Sequence, residues 1–142
     1  AQMEALENGY DSAILMNSQG KISEGPGSCL FIVRDGVLIT PPITASILES
    51  ITRDTIIKLA REVLNIETIE REIDRTELYI CDEAFLCGSA MEVTSVFSVD
   101  RHTIGNTMPG PGVVTEKVHR LYLDTVTGNL PDKYNWLSQV YE

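Results

Sequence analysis

Four short stretches of this 142-residue sequence hold residue types that can do chemistry. Glu24 ends the alternating run Lys21-Ile22-Ser23-Glu24 and stands directly before Gly25-Pro26-Gly27. Its carboxylate either faces a ligand or is a solvated loop acid. Ser50-Ile51-Thr52-Arg53 precedes a helical pattern. A helix start offers free N–H groups and a positive dipole end, which suit a phosphate; ordinary capping by Thr52 is the other reading. Gly88-Ser89-Ala90 joins two apolar runs, as an anion nest or as a tight turn or bulge. Asn106 to Gly112 is rich in Pro and Gly and reads as an active-site lid or a plain connection.

Other reactive residue types are read as structural. Cys29, Cys81 and Cys87 have no metal-ligand spacing and fit core thiols of a reducing compartment. His102 falls in a turn and His119 on the polar side of a helix, each without a nucleophile or metal partner in sequence. Asp82-Glu83 is one acidic pair, too little for a glycosidase or metal site. No metal site is expected.

These residues need elements to hold them. Ala1 to Glu7 read as the end of a helix stopped by Asn8-Gly9, so the chain opens as if cut within a larger protein. Residues 12 to 40 read as β structure: a run from Ser12 to Met16, the alternating Lys21 to Glu24, a strand from Cys29 to Val33, and a return from Val37 to Ile39 after Asp35-Gly36. A helix follows, with Thr52 at its cap, Ile56, Ile57, Leu59, Ala60, Val63 and Leu64 on one side, and Arg53, Lys58, Arg61 and Glu62 on another. Ile66 to Glu72 alternates as a strand. Asp74-Arg75-Thr76-Glu77 matches a capping box opening a short helix through Ile80. Ala84 to Cys87 and Glu92 to Val99 are strands, and Asp100 to Gly105 is a hairpin turn with a short return. Val113 to Val126 is the longest amphipathic helix, and Asp132 to Tyr141 a short helix docked through Trp136 and Leu137. Strands in hairpins rather than βαβ units predict a mixed α+β class with a largely antiparallel sheet.

Composition narrows the partners. With 43% apolar residues the chain can build a core, and the length suits one domain. Twenty-one acidic against 11 basic residues give a net charge of −10, which disfavours nucleic acid or an anionic membrane surface. Nothing approaches the roughly 20 apolar residues of a membrane span, and Ala1-Gln2-Met3-Glu4 is no signal peptide.

The order of the motifs resembles the large C-terminal domain of class IV (fold type IV) aminotransferases, most of all the branched-chain amino acid type. The carrying segments include Gly9-Tyr10-Asp11-Ser12-Ala13, Gly20-Lys21-Ile22-Ser23-Glu24-Gly25-Pro26-Gly27, Ile51-Thr52-Arg53-Asp54, Cys87-Gly88-Ser89-Ala90-Met91-Glu92-Val93-Thr94, and Gly110-Pro111-Gly112. The resemblance covers essentially all 142 residues. It implies a D-amino-acid aminotransferase-like α+β fold, a pseudo-barrel with flanking helices, that binds pyridoxal 5′-phosphate. It implies that Glu24 pairs with the pyridine nitrogen, that Ile51, Thr52 and Ser89 serve the phosphate, and that Gly27, Ser28, Ser89 and Ala90 meet the substrate. Ser28-Cys29 stands where the family often has Glu-Asn, and Ser50 where glycine is common.

The same resemblance implies what this chain lacks. The family's Schiff-base lysine, the usual catalytic group, lies farther upstream of the glutamate than the 23 residues here. None of Lys21, Lys58, Lys117 and Lys133 matches it. The expectation is therefore the C-terminal part of a cytoplasmic transaminase that moves the amino group of Leu, Ile or Val to 2-oxoglutarate. The rest of the enzyme, and a homodimer or higher assembly, are the implied partners. The alternatives are a D-amino-acid transaminase, an aminodeoxychorismate lyase, or a lysine-less binding domain.

Overall fold

The fold is described from a computed structural model, which covers residues 1–105, 110–138 and 140. Its centre is the apolar run Cys29–Arg34, strand β1. Buried along nearly its whole length, it needs cover on both faces, as a continuous rather than alternating apolar strand does. It turns through Asp35-Gly36 into β2 (Val37–Thr40), with Arg34 opposite Val37. Both turn residues have positive φ, +51° and +78°, the twist that a two-residue hairpin requires.

Helix α1 (Gln2–Glu7) opens the chain, and α2 (Ile51–Glu62) follows β2. Strand β3 (Thr68–Glu70) then pairs with β2 in parallel, and β4 (Glu83–Gly88) lies antiparallel to β1. Strand β5 (Glu92–Ser95) completes a five-stranded sheet of order β3-β2-β1-β4-β5. Strands β6 (Ser98–Val99) and β7 (His102–Thr103) form a separate hairpin, and α3 (Val113–Val126) follows. The α+β class is borne out: β2–β3 is the one parallel pair among the described strands.

Alternate residues of β1 feed two cores. Cys29, Phe31 and Val33 pack with Ile56, Ile57 and Ala60 of α2 and Val118 and Tyr122 of α3. Phe31 stacks on Phe85 of β4, with ring centroids 5.0 Å apart. Leu30 and Ile32 face the other way, onto Ile22, Ile73, Leu78 and Ile104. Helices α2 and α3 thus cover one face, and loops with one short helical turn around Leu78 cover the other. All three cysteines are buried free thiols, as expected, and burial pushes Cys81 up to about 11.

Several expectations need correction. Residues 12–16 and 21–24 form no continuous strands. They meet through one bridge, Met16–Ile22, and the bonds Leu15 N–H to Glu24 O (2.7 Å) and Ser23 N–H to Leu15 O (2.9 Å). Positive φ at Gly20 and the long turn from Asn17 break the regular ladder. Ile66–Glu72 keeps only three strand residues, because β2 is a short partner. The segment opened by Asp74 is a 3₁₀ helix, Arg75–Tyr79. Ser98 and Val99 leave the line of β5 to pair with β7. The described part of the tail holds no helix. Asp132 there accepts from the N–H groups of Trp136 (2.9 Å) and Leu137 (2.8 Å), and Tyr134 stacks on Trp136. Of the proposed lid, residues 106–109 lie outside the described residues.

Candidate functional site

Thr52 does not cap α2. Ser50 does: its backbone is extended (φ −127°, ψ 124°), and its Oγ accepts from Arg53 N–H at 3.3 Å. A β-region serine two residues earlier fits the cap geometry, and this moves Ile51 and Thr52 into the first helical turn. Among the described residues their N–H groups have no backbone partner. Ile51 is 88% exposed, so this helix start opens to the surface, while Thr52 is 6% exposed. Its hydroxyl is neither an orphan sealed from solvent nor bonded among the described residues, and it can serve an arriving anion. A 12-residue helix adds its dipole to that end.

Glu24 comes to the same place by one hydrogen bond. Its Oε2 accepts from Leu48 N–H at 2.9 Å, in the loop that leads into α2. The neighbouring Ser23 hydroxyl donates to Ser46 O at 2.8 Å and ties the same loop. One carboxylate oxygen of Glu24 is thereby fixed and Oε1 is left without a protein partner among the described residues. This sets it apart from a freely solvated loop acid.

The next four residues make a tight turn. Gly25 N–H donates to Ser28 O at 2.8 Å and Ser28 N–H to Gly25 O at 3.1 Å. Pro26 and Gly27, the latter at φ +74°, suit the two central positions of a type II turn. Gly27 is exposed and Ser28 buried. This turn lies against the start of the β4–β5 turn: a Cβ on Gly88 would sit 3.1 Å from Gly27 O. Glycine at 88 lets the two backbones approach closely, since a side chain there would make the Gly27 carbonyl shift by a few tenths of an ångström. Ser89 and Ala90 follow as exposed turn residues, and their N–H groups have no backbone partner among the described residues. Cys29 closes the circuit, with Sγ 3.8 Å from Leu48 O and itself opposite Cys87.

The structure therefore connects Glu24, Gly27–Ser28, Ile51–Thr52 and Ser89–Ala90 through direct contacts of their own loops. Two sets of free backbone N–H groups and a carboxylate share one edge, where β1 and α2 begin and β4 ends. The arrangement suits a ligand that brings an anionic group to the N–H donors and a proton-bearing group to the carboxylate. Three of the four lysines have other partners: Lys21 Nζ pairs with Asp74 at 2.6 Å, Lys58 sits over the Tyr134 ring, and Lys133 approaches Glu62 at 3.8 Å. The described residues hold no group of His, Cys, Asp and Glu that could ligate a metal, and no helix long and apolar enough to cross a membrane.

Sequence reasoning missed the Leu48 N–H that orients Glu24, and nothing in the sequence marks it. It also missed Arg53, placed on the polar side of α2 but 2% exposed in the fold. A cation in the first helical turn, where acids are favoured, was the available signal. The Asp82-Glu83 pair proves to be split. Asp82 accepts from Asp35 N–H at 2.7 Å, and Glu83 accepts from the N–H groups of Val114 and Thr115 at the start of α3.

The sequence profile of the family described as amino-transferase class IV matches residues 1–99. This chain belongs to that family. It is 45% identical over 142 residues to the probable branched-chain-amino-acid aminotransferase of Aquifex aeolicus, covering 100% of this chain and 45% of that protein. It is 47% identical over 137 residues to the branched-chain-amino-acid aminotransferase of Escherichia coli K12, covering 96% of this chain and 43% of the relative. Among solved structures it matches the branched-chain amino acid aminotransferase of Thermobaculum terrenum in PLP-form with a TM-score of 0.93 and 52% identity. That match covers 100% of this chain and 46% of the other. This class IV chain thus has the fold of those enzymes and spans less than half of their length.

Proposed function

We propose that this chain is the C-terminal part of the cofactor-binding domain of a pyridoxal-phosphate transaminase that moves the amino group of Leu, Ile or Val to 2-oxoglutarate. One observation carries the reading: in a chain 52% identical to such an enzyme, Glu24 and the open α2 N-terminus are joined through the single loop 46–50. The match runs along the whole chain, including the Gly88-Ser89-Ala90 turn, and favours the branched-chain type over D-amino-acid transaminase or lyase relatives.

Pyridoxal phosphate, when bound, supplies an electron sink that makes the α-proton of an amino acid removable. The residues of this chain fit that group. Ile51 and Thr52 would hold its phosphate by backbone N–H groups and the Thr52 hydroxyl, with Ser89 as a further donor. Glu24, held by Leu48 N–H, would keep a proton on the pyridine nitrogen, because a nearby carboxylate favours the charged ring. Ser89 and Ala90 would receive the substrate carboxylate on their N–H groups, and Gly27 and Ser28 would border the side chain. The Schiff-base lysine that moves the α-proton belongs to the remainder of the enzyme in this reading. The whole protein works as a cytoplasmic homodimer or larger assembly.

The test is amino transfer by the whole protein that carries this chain, from L-leucine to 2-oxoglutarate, with glutamate as the readout. Glu24→Gln should lower kcat by about 100-fold or more while the cofactor stays bound, the scale on which a positioned acid–base group acts. Preference for D-amino acids, or release of pyruvate from aminodeoxychorismate without an amino acceptor, would sink the branched-chain assignment.

A further inference from the structure

Arg53 is the least explained charge in the fold. It is 2% exposed and stands at the third position of α2, where a cation opposes the helix dipole. Its Nη2 donates to Pro41 O at 2.8 Å and to Glu70 Oε2 at 2.8 Å. Its Nη1 lies 3.4 Å from Asp54 Oδ1, and its Nε is buried without a partner. Pro41 directly follows β2, and Glu70 ends β3, opposite Thr40 in the parallel register. One guanidinium thus ties the first turn of α2 to the ends of two neighbouring strands.

Stability alone does not account for this group. A buried charge must be desolvated, and well-packed apolar residues often replace buried ion pairs at no cost. Here a donor is also left unsatisfied, at a further cost. What the clamp does supply is position. Ile51 and Thr52 are the two residues just before Arg53, and an anion site built from backbone N–H groups works only while their aim is held within fractions of an ångström.

We propose that Arg53 is a positioning residue for an anion held at the start of α2, acting through the Ile51 and Thr52 N–H groups rather than by touching the anion. The inference rests on the cofactor reading above and adds to it the residue that sets the geometry of the phosphate end. The planar group matters as much as the charge, since Nη2 aims its two N–H bonds at Pro41 O and Glu70 Oε2 in fixed directions while Nη1 stands beside Asp54, a spread that lysine's single nitrogen does not reproduce.

The test compares pyridoxal phosphate with pyridoxal, which lacks the phosphate, by equilibrium dialysis against the whole protein that carries this chain. Arg53→Met and Arg53→Lys should each weaken pyridoxal phosphate by about tenfold or more, the scale seen for groups that act through a ligand-holding neighbour. Pyridoxal affinity should stay within about twofold. Glu70→Gln, which leaves the arginine in place but loosens its clamp, should act in the same direction by a smaller factor. If Arg53→Met fails to melt cooperatively, Arg53→Lys and Glu70→Gln decide on the same criterion. Equal weakening of both ligands would mean a merely structural role and would overturn the inference, as would unchanged affinities. A wild-type protein that binds neither ligand would overturn the cofactor reading itself, and this inference with it.

Discussion

Glu77 shows how far one side chain can be set by its neighbours. Its carboxylate takes two hydrogen bonds from Arg71, at 2.9 and 2.7 Å, one from Asp74 N–H at 3.1 Å and one from Arg34 at 3.1 Å. Its side chain is 14% exposed. The Arg71 guanidinium first, then the Asp74 N–H and Arg34, hold its carboxyl at about 2 against a burial cost that pushes the other way. A depressed carboxylate stabilises the fold fully above its unfolded value of 4.5, and this is lost as pH falls towards about 2. With both arginines about one-third exposed, the effect should be about 1–2 kcal/mol. Urea unfolding should therefore separate wild type from Glu77→Gln by that amount at pH 6 to 7, with the gap closing below about pH 3. A gap that persists at low pH would refute the assignment. The capping-box pattern of Asp74 and Glu77 was legible in the sequence, because it is local. The two arginines were not, because Arg34 reaches Glu77 across 43 positions of chain. Arg53 was misplaced for a related reason: helical periodicity assigns a face, whereas burial follows from what the strands beside that face offer.

Elements with strong local signals were read closely. The bounds of α3 agree with the apolar spacing from Val113 to Val126, and the Asp35-Gly36 turn agrees with its hairpin signal. Elements that depend on distant partners were read less well, as with residues 12–24, where alternation alone did not produce a ladder. The start of α3 depends on such a partner. Its cap residue, Gly112, has no side chain to offer, and Glu83 of β4 fills the role instead. Glu83 Oε1 accepts from Val114 N–H at 3.0 Å, and Oε2 accepts from Thr115 N–H and the Thr115 hydroxyl, both at 2.7 Å. A carboxylate at a helix N-terminus satisfies orphan donors and meets the dipole. Glu83→Ala should cost about 1–3 kcal/mol in unfolding free energy. Gly112→Ala should cost a similar amount, because its Cβ would overlap the Glu83 carboxyl and expel it. Since both remove the same cap, the double variant should be less destabilised than the sum of the two. Strict additivity in a double-mutant cycle would mean that Glu83 does not cap α3.

At the scale of the molecule, the chain carries a carboxylate, an open helix start and two small-residue turns on one edge, yet three of its four lysines are engaged by other partners. The motifs of that edge were legible because each is a run of four to eight residues with its own turn chemistry. Their meeting was not, since it depends on the register of Cys29 with Cys87 and on the loop that brings Leu48 to Glu24. Lys21, three residues before Glu24, is held by Asp74 at 2.6 Å. Lys58 sits 4.3 Å above the Tyr134 ring on the outer side of α2. Lys133 belongs to the tail beside it, and Lys117 is exposed on α3. A cofactor fixed covalently to the whole protein should therefore be attached outside residues 1–142. Borohydride reduction of the whole protein with pyridoxal phosphate, followed by tryptic peptide mapping, should give one stoichiometric pyridoxyl-lysine peptide that contains none of these four lysines. Residues 1–142 expressed separately should bind pyridoxal phosphate reversibly and yield no stoichiometric adduct after the same treatment. A single adduct at Lys21, Lys58, Lys117 or Lys133 would mean that the anchor is built into this chain and that the edge has been assigned to the wrong part of the cofactor.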